Sequence, residues 1–198
     1  GTDGSTESVS GGLYAAWLHR AGWYVDGAFK AQYFDSKYDT VGDGGKFTAY
    51  GFGFELEAGR QIEIASSWFV EPSIHAAYTH IFTEGYTSRR GLRVSNEDSD
   101  VFRIGASARL GRTFDLGGHG QLQPYLSIGV DWMTSSGGSV RVSDVSLRPN
   151  VDGARVRGGL GTIWQLSSRD QVYFDYEAAL GEKYNVPWSV NIGYRRRF

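Results

Sequence analysis

The chain has 198 residues, with 20 Lys and Arg against 22 Asp and Glu and a net charge of -2, which suits one sizeable domain and offers no basic excess for a nucleic-acid partner. It contains no Cys, which excludes disulfides, and no run approaches the roughly 18 apolar residues that a membrane helix needs. Aromatic residues make up 15% of the chain and Gly contributes 28 residues against 4 Pro, a balance that fits many strands with turns between them, and residues 1–8 are polar rather than patterned as a signal peptide.

Neighbouring residues of a β-strand face opposite ways, so each segment is tested by whether its odd and even positions differ in chemistry. The first expected strand covers about 9–18 and the second 22–34, joined by a tight turn at 19–21. In the third, Tyr50, Phe52, Phe54, Leu56 and Ala58 oppose Gly51, Gly53, Glu55, Glu57 and Gly59. The fourth and fifth run over 67–82 and 101–114. In the sixth, Leu122, Leu126, Ile128, Val130 and Trp132 oppose Gln123, Tyr125, Ser127, Gly129 and Asp131. The seventh covers 154–166. In the eighth, Val172, Phe174, Tyr176, Ala178 and Leu180 face away from Gln171, Tyr173, Asp175, Glu177 and Ala179. The ninth, 188–198, sets Trp188, Val190, Ile192, Tyr194, Arg196 and Phe198 against Ser189, Asn191, Gly193, Arg195 and Arg197.

Several of these runs reach about ten alternating residues, the length that crosses a bilayer at a steep tilt, whereas soluble strands average nearer five or six. The mean hydropathy of -0.35 does not contradict this, because a wall with one lipid face and one wet face averages to a similar value. A soluble β-sandwich or lipocalin-like barrel also alternates, with its apolar face turned inward. Against that alternative, the polar phase carries both charge signs and many Gly. The charged residues assigned to a wet lumen are Asp26, Lys30, Glu55, Glu57, Glu71, Arg103, Arg109, Arg155, Arg157, Asp175, Glu177, Arg195 and Arg197. Trp17, Trp23, Trp68, Trp132, Trp164 and Trp188 all fall on the apolar phase near expected strand ends, as an interfacial aromatic girdle requires. The expected fold is therefore all-β, an antiparallel up-and-down transmembrane β-barrel.

Connections orient it. Short ones at 19–21, 60–66, 115–120 and 167–169 alternate with longer ones at 35–46, 83–100 and 134–153 and a briefer one at 181–187, which contains Pro187. Outer-membrane barrels turn tightly on the periplasmic side and loop outside. This places the C-terminus in the periplasm, Trp17, Trp23, Trp68 and Trp164 at the periplasmic girdle, and Trp132 and Trp188 at the outer one. Extra hairpin arms are expected near 86–95 and 139–147. Nine strands cannot close an up-and-down barrel with every neighbour antiparallel, so a preceding part of the barrel is expected upstream.

At this point the chain resembles the β-barrel translocator domain of monomeric autotransporters, the type V secretion family, and within it the pertactin-like branch. The likeness spans essentially the whole chain. It rests on GLYAAWLHRAGWYVDGAFKAQYF at 12–34, WFVEPSIHAAYTH at 68–80, LQPYLSIGVDW at 122–132 and the ending PWSVNIGYRRRF. The resemblance implies a twelve-stranded barrel of which residues 1–198 hold strands four to twelve, a helix lying in the pore, and a passenger domain upstream. It further implies that Phe198 is the assembly signal read by the barrel assembly machinery. The partners that follow are outer-membrane lipid and lipopolysaccharide, that machinery, and the protein's own passenger and pore helix, with no cofactor.

The function expected is a translocator and anchor in the bacterial outer membrane, not an enzyme. A general porin or small channel is the alternative, and an outer-membrane hydrolase the third reading. For the last, Ser73 and His75 share the lumen phase but lack a placed third partner. Some members of the resembled family cut their passenger inside the barrel with wall carboxylates, for which Glu55, Glu57, Glu71 and Asp175 have the phase; carboxylates beside lumen arginines are more often structural. His19, His80 and His119 are scattered without metal-ligand spacing, and GGLGT at 158–162 lies in a strand rather than before a helix.

Overall fold

Alternation along one strand becomes a two-faced wall only when its neighbours are in matching register, and here they are. The fold comes from a computed structural model that describes residues 3–142, 145–147, 151–183 and 185–196. Among these, nine long strands form one antiparallel meander in sequence order. They are β1 (Asp3–Leu18), β2 (Trp23–Thr40), β3 (Asp43–Arg60), β4 (Trp68–Thr83), β5 (Ser99–Arg112), β6 (Gln121–Gly137), β7 (Gly153–Gln165), β8 (Asp170–Gly181) and β9 (Val186–Arg196). Arg197 and Phe198 lie outside the described residues.

The register keeps each chemistry on its own side. Phe54 stands opposite Phe29 and Tyr78, and Leu126 opposite Leu110 and Leu160, while Glu57 stands opposite Asp26 and His75. The sheet curls toward the polar side into a half-barrel, so that Arg195 of β9 donates to the Tyr14 hydroxyl of β1 at 3.2 Å. The apolar side is the exposed one: Leu56, Ile74, Leu126, Ile128 and Ile192 are each 60% exposed or more, whereas Asp131, His75 and Ser73 on the polar side are buried. A sandwich would bury the first set. This inside-out wall does not, and an apolar surface of such extent calls for lipid or another apolar cover.

Two expectations about connections need correction. The loop expected at 35–46 is not a loop. β2 and β3 continue pairing from Asp35↔Thr48 to Thr40↔Asp43 and turn over Val41 and Gly42 alone. β1 accompanies them up to Asp3↔Asp39, and the three strands rise as an arm beyond the last β3–β4 rung, Ala49↔Thr83. The connection at 60–66 contains a short strand, Ile62–Ala65, folded back on the start of β4.

The hairpin arms near 86–95 and 139–147 form short strands at Tyr86–Thr87, Arg93–Asn96, Val140–Val142 and Val145–Leu147. These join into one second sheet, with Arg141 opposite Ser95. That sheet leans on the three-stranded arm. Tyr86 stacks on Phe47 at 5.5 Å and meets Tyr38 edge-on at 5.9 Å, and Arg89 pairs with Asp39 at 3.1 Å.

Four aromatics on the polar side each lie over a glycine directly across the next ladder: Tyr24 over Gly59, Phe69 over Gly111, Tyr125 over Gly161 and Tyr173 over Gly193. A Cβ on any of these glycines would run into the ring. Flat rings thus cover backbone that would otherwise be bare, and each ring ties two strands in fixed register.

Candidate functional site

The polar side of the half-barrel is the candidate site. Its centre is Asp131 on β6, whose side chain is 0% exposed. His75 Nε2 on β4 donates to Asp131 Oδ1 at 2.8 Å, and Arg155 Nη2 on β7 donates to Oδ2 at 2.8 Å. Arg157 brings its Nε to 3.3 Å from Oδ1, donates from Nη2 to His75 Nδ1 at 3.2 Å, and from Nη1 to Glu177 Oε2 of β8 at 3.2 Å. Because Nδ1 accepts from Arg157, His75 must carry its proton on Nε2, the nitrogen facing the carboxylate. Gly105, on β5 between His75 and Asp131, leaves the room this cluster needs, since a Cβ there would overlap both side chains.

A second belt lies nearer the short-turn end. The Tyr24 hydroxyl donates to Glu57 Oε1 at 2.7 Å and reaches Glu71 Oε1 at 3.2 Å. Arg109 donates to the same Glu71 oxygen at 2.9 Å and lies over the Tyr125 ring at 5.2 Å, and the Tyr125 hydroxyl donates to Asp175. On the other side of the Asp131 cluster, farther from the short turns, Arg103 pairs with Glu55 at 3.1 Å. Asp26 shares a hydrogen bond with Tyr14, and Arg195 holds Gln171 at 2.8 Å as well as Tyr14. Lys30 borders a recess of about 220 Å³ with Glu55 and Arg103. Between the belts a cavity of about 340 Å³ is lined by Glu55, Glu57, Arg109, Arg157, Asp175 and Glu177.

Twelve of the thirteen charged residues assigned to the lumen phase thus share one face, and Arg197 lies outside the described residues. The hub of that face, Asp131, was absent from that set, as were Tyr14, Tyr24 and Tyr125. Asp131 was legible in phase, alternating with Ser127 and Gly129, but its partners come from strands far apart in sequence. Lone carboxylates in a low-dielectric wall are costly, and paired ones with satisfied oxygens are stable; each acid of the belts has a cation or hydroxyl on it.

Ser73 and His75 are not paired with each other as nucleophile and base. Ser73 Oγ bonds Ser107 Oγ at 2.8 Å, while both ring nitrogens of His75 are taken by Asp131 and Arg157. Nor do the wall carboxylates form an idle pair ready for proton transfer: Glu55, Glu57, Glu71 and Asp175 are each engaged as described.

All six Trp lie on the opposite, apolar side and are partly exposed there. Trp17, Trp23, Trp68 and Trp164 stand at the short-turn ends of their strands. Trp188 stands at the start of β9, and Trp132 sits inside β6, which runs on through Met133 to Gly137. Basic side chains cap three of these rings or their neighbours at the short-turn rim. Arg60 lies over Trp23 at 5.3 Å, and Arg112 lies over Trp68 at 5.9 Å and over Phe114 at 5.0 Å.

Residues 1–177 match the family described as the autotransporter beta-domain. The pertactin autotransporter of Bordetella parapertussis is 32% identical over 197 residues, covering 97% of this chain and 21% of that protein. The BrkA autotransporter of Bordetella pertussis is 32% identical over 201 residues, covering 98% and 20%. The chain therefore spans about a fifth of the length of these curated relatives. Among solved structures, the beta domain of BrkA superposes with a TM-score of 0.79 at 28% identity over 98% of this chain and 75% of that one. The transport unit of AIDA-I from Escherichia coli gives 0.82 at 14% identity, over 100% and 68%, a likeness of fold alone.

Proposed function

The chain belongs to the autotransporter β-domain family, and from that membership we propose that it anchors in the bacterial outer membrane and gives an N-terminal passenger its route to the surface. The observation that carries the reading is the inside-out chemistry of the half-barrel: an exposed apolar side and a charged, mutually compensated side that encloses space. The apolar side favours insertion. The polar side offers a moving chain many weak contacts and no strong one, because its charges already hold each other. Its work is physical rather than covalent.

On this reading the polar side lines a lumen, with Asp26, Lys30, Glu55, Glu57, Glu71, Arg103, Arg109, Arg155, Arg157, Asp175, Glu177, Arg195 and Arg197 on its wall. The short turns face the periplasm, where the C-terminus and Phe198 meet the barrel assembly machinery. Trp17, Trp23, Trp68 and Trp164 sit at the periplasmic interface, and Trp132 and Trp188 at the outer one, against phospholipid and lipopolysaccharide. Residues 1–198 supply strands four to twelve of a twelve-stranded barrel. The unpaired side of β1 then joins an upstream strand, since backbone groups left open in lipid cost several kcal/mol each. The pore helix rests against the two belts.

Expressing the 198 residues alone and with their native upstream sequence tests this against a porin. Heat-modifiable folding and surface display of a passenger should require the longer chain. A stable, open, high-conductance pore from the 198 residues alone would overturn the translocator reading.

A further inference from the structure

On the apolar side, near the short-turn rim, the strands are not evenly clad. Leu110, Leu126 and Leu160 stand in one cross-strand row over β5, β6 and β7. Toward the rim, Phe114, Leu122 and Trp164 form another row. The row between them has Pro124 opposite Thr162, two short side chains. The result is a groove of about 490 Å³ in the apolar face, walled by the leucines, Trp68 and Phe114 and floored by Pro124 and the backbone of Gly111 and Gly161.

Arg112 closes the rim end of this groove. Its guanidinium lies between the rings of Trp68 and Phe114, and no carboxylate among the described residues pairs with it. No other rim arginine among the described residues has rings on two sides, and two of them have polar partners. Arg60 spends its Nε on the Ala21 carbonyl at 3.3 Å, and Arg196 lies 3.9 Å from Asp170. Two aromatic faces hold a cation in place without neutralising it, and a planar guanidinium so fixed presents its outer N–H groups to a phosphate.

We infer that this groove is a specific phospholipid site: Arg112 binds the phosphate of an anionic glycerophospholipid, and an acyl chain lies between Leu110, Leu126 and Leu160. The charge requires an anion, and the apolar trench beginning at the same residue requires that the anion carry a hydrocarbon chain. The choice of phospholipid over lipid A rests on the orientation proposed above, which puts this rim in the periplasmic leaflet.

The test is native mass spectrometry of the full-length protein extracted from outer membranes, titrated with phosphatidylglycerol, phosphatidylethanolamine and lipid A. Heat-modifiable migration serves as the check that each variant is folded. The wild type should retain one phosphatidylglycerol in preference to phosphatidylethanolamine. Arg112→Gln, which removes the cation, and Leu126→Trp, which fills the trench, should each lower that retention about tenfold, and Arg60→Gln should leave it unchanged. Equal retention by Arg112→Gln and wild type overturns the site. So does an equal loss in Arg60→Gln, which would mean general attraction to a basic rim, and so does preference for lipid A. The orientation is read separately by labelling Ser168→Cys on intact cells with a membrane-impermeant maleimide. Labelling there overturns the orientation and the leaflet assigned, while the dependence on Arg112 in detergent is measured regardless.

Discussion

A carboxylate with no exposed surface, held by two arginines and a histidine, is stable only as a set. Removing the charge of Asp131 leaves Arg155 and Arg157 inside the wall with one acid, Glu177, between them. Uncompensated buried charge of this kind costs about 3–5 kcal/mol. We therefore expect Asp131→Asn to lower the unfolding free energy of the folded barrel in detergent by that amount, read as a lower urea midpoint at unchanged slope. An unchanged midpoint would mean that water, not Asp131, balances the arginines. The opposite side obeys the opposite rule. Ile128 is 64% exposed in mid-β6, and Ile128→Arg should cost roughly 2–4 kcal/mol of stability in lipid. Equal stability of that variant and wild type in lipid vesicles would count against a lipid-facing β6.

At the scale of single elements, the rings seated on glycines are the clearest coupling between neighbouring strands. Tyr125 covers Gly161 and bonds Asp175, linking β6, β7 and β8. A valine at 161 must displace the ring and break that link. We expect Gly161→Val to slow the appearance of heat-modifiable barrel, and Tyr125→Ala added to it to restore part of the rate; no restoration would mean that the valine acts through β7 alone. The strands that cross the apolar zone were legible in the sequence because two solvents act on their two sides, so 50–59, 122–132 and 171–180 separate cleanly into odd and even. The arm at 35–46 was not. Beyond the apolar zone no lipid face demands an apolar phase and the small second sheet covers part of one side, so the need for alternation ends, and Gly, Asp, Lys and Tyr then read as turn. Nor could residue order alone reveal the Asp131 cluster, since His75 and Asp131 meet only through the ladders that β5 makes with both β4 and β6. The small second sheet was visible as two hairpins but not as one body. Val94, 3% exposed, is its buried centre. Val94→Asp should open residues 84–98 to protease while the long strands remain heat-modifiable; equal protease resistance would show that the arm, not the sheet's own core, holds it.

For the whole molecule, unequal strand lengths set the outline. β2 and β3 have 18 residues each and β9 has 11, which at about 3.4 Å per residue is about 60 Å against about 37 Å of strand. Tight turns join the strands at one end, so the difference emerges at the other. The rim there is stepped, tall where the arm and the small second sheet stand and low where β8 ends at Gly181 and β9 begins at Val186. With the short turns in the periplasm, as proposed above, this rim faces the cell exterior and its steps are an antigenic profile. A peptide tag inserted after Val41 should stand clear of the sugar layer and bind antibody on intact cells, whereas the same tag after Lys183 should be shaded until the long-chain saccharide is removed. Equal binding at both places would mean that the arm bends down onto the membrane. Immunity directed at such a protein would then fall on the arm first, and sequence drift among strains should concentrate at its tip while the paired residues below it stay constrained by their ladders.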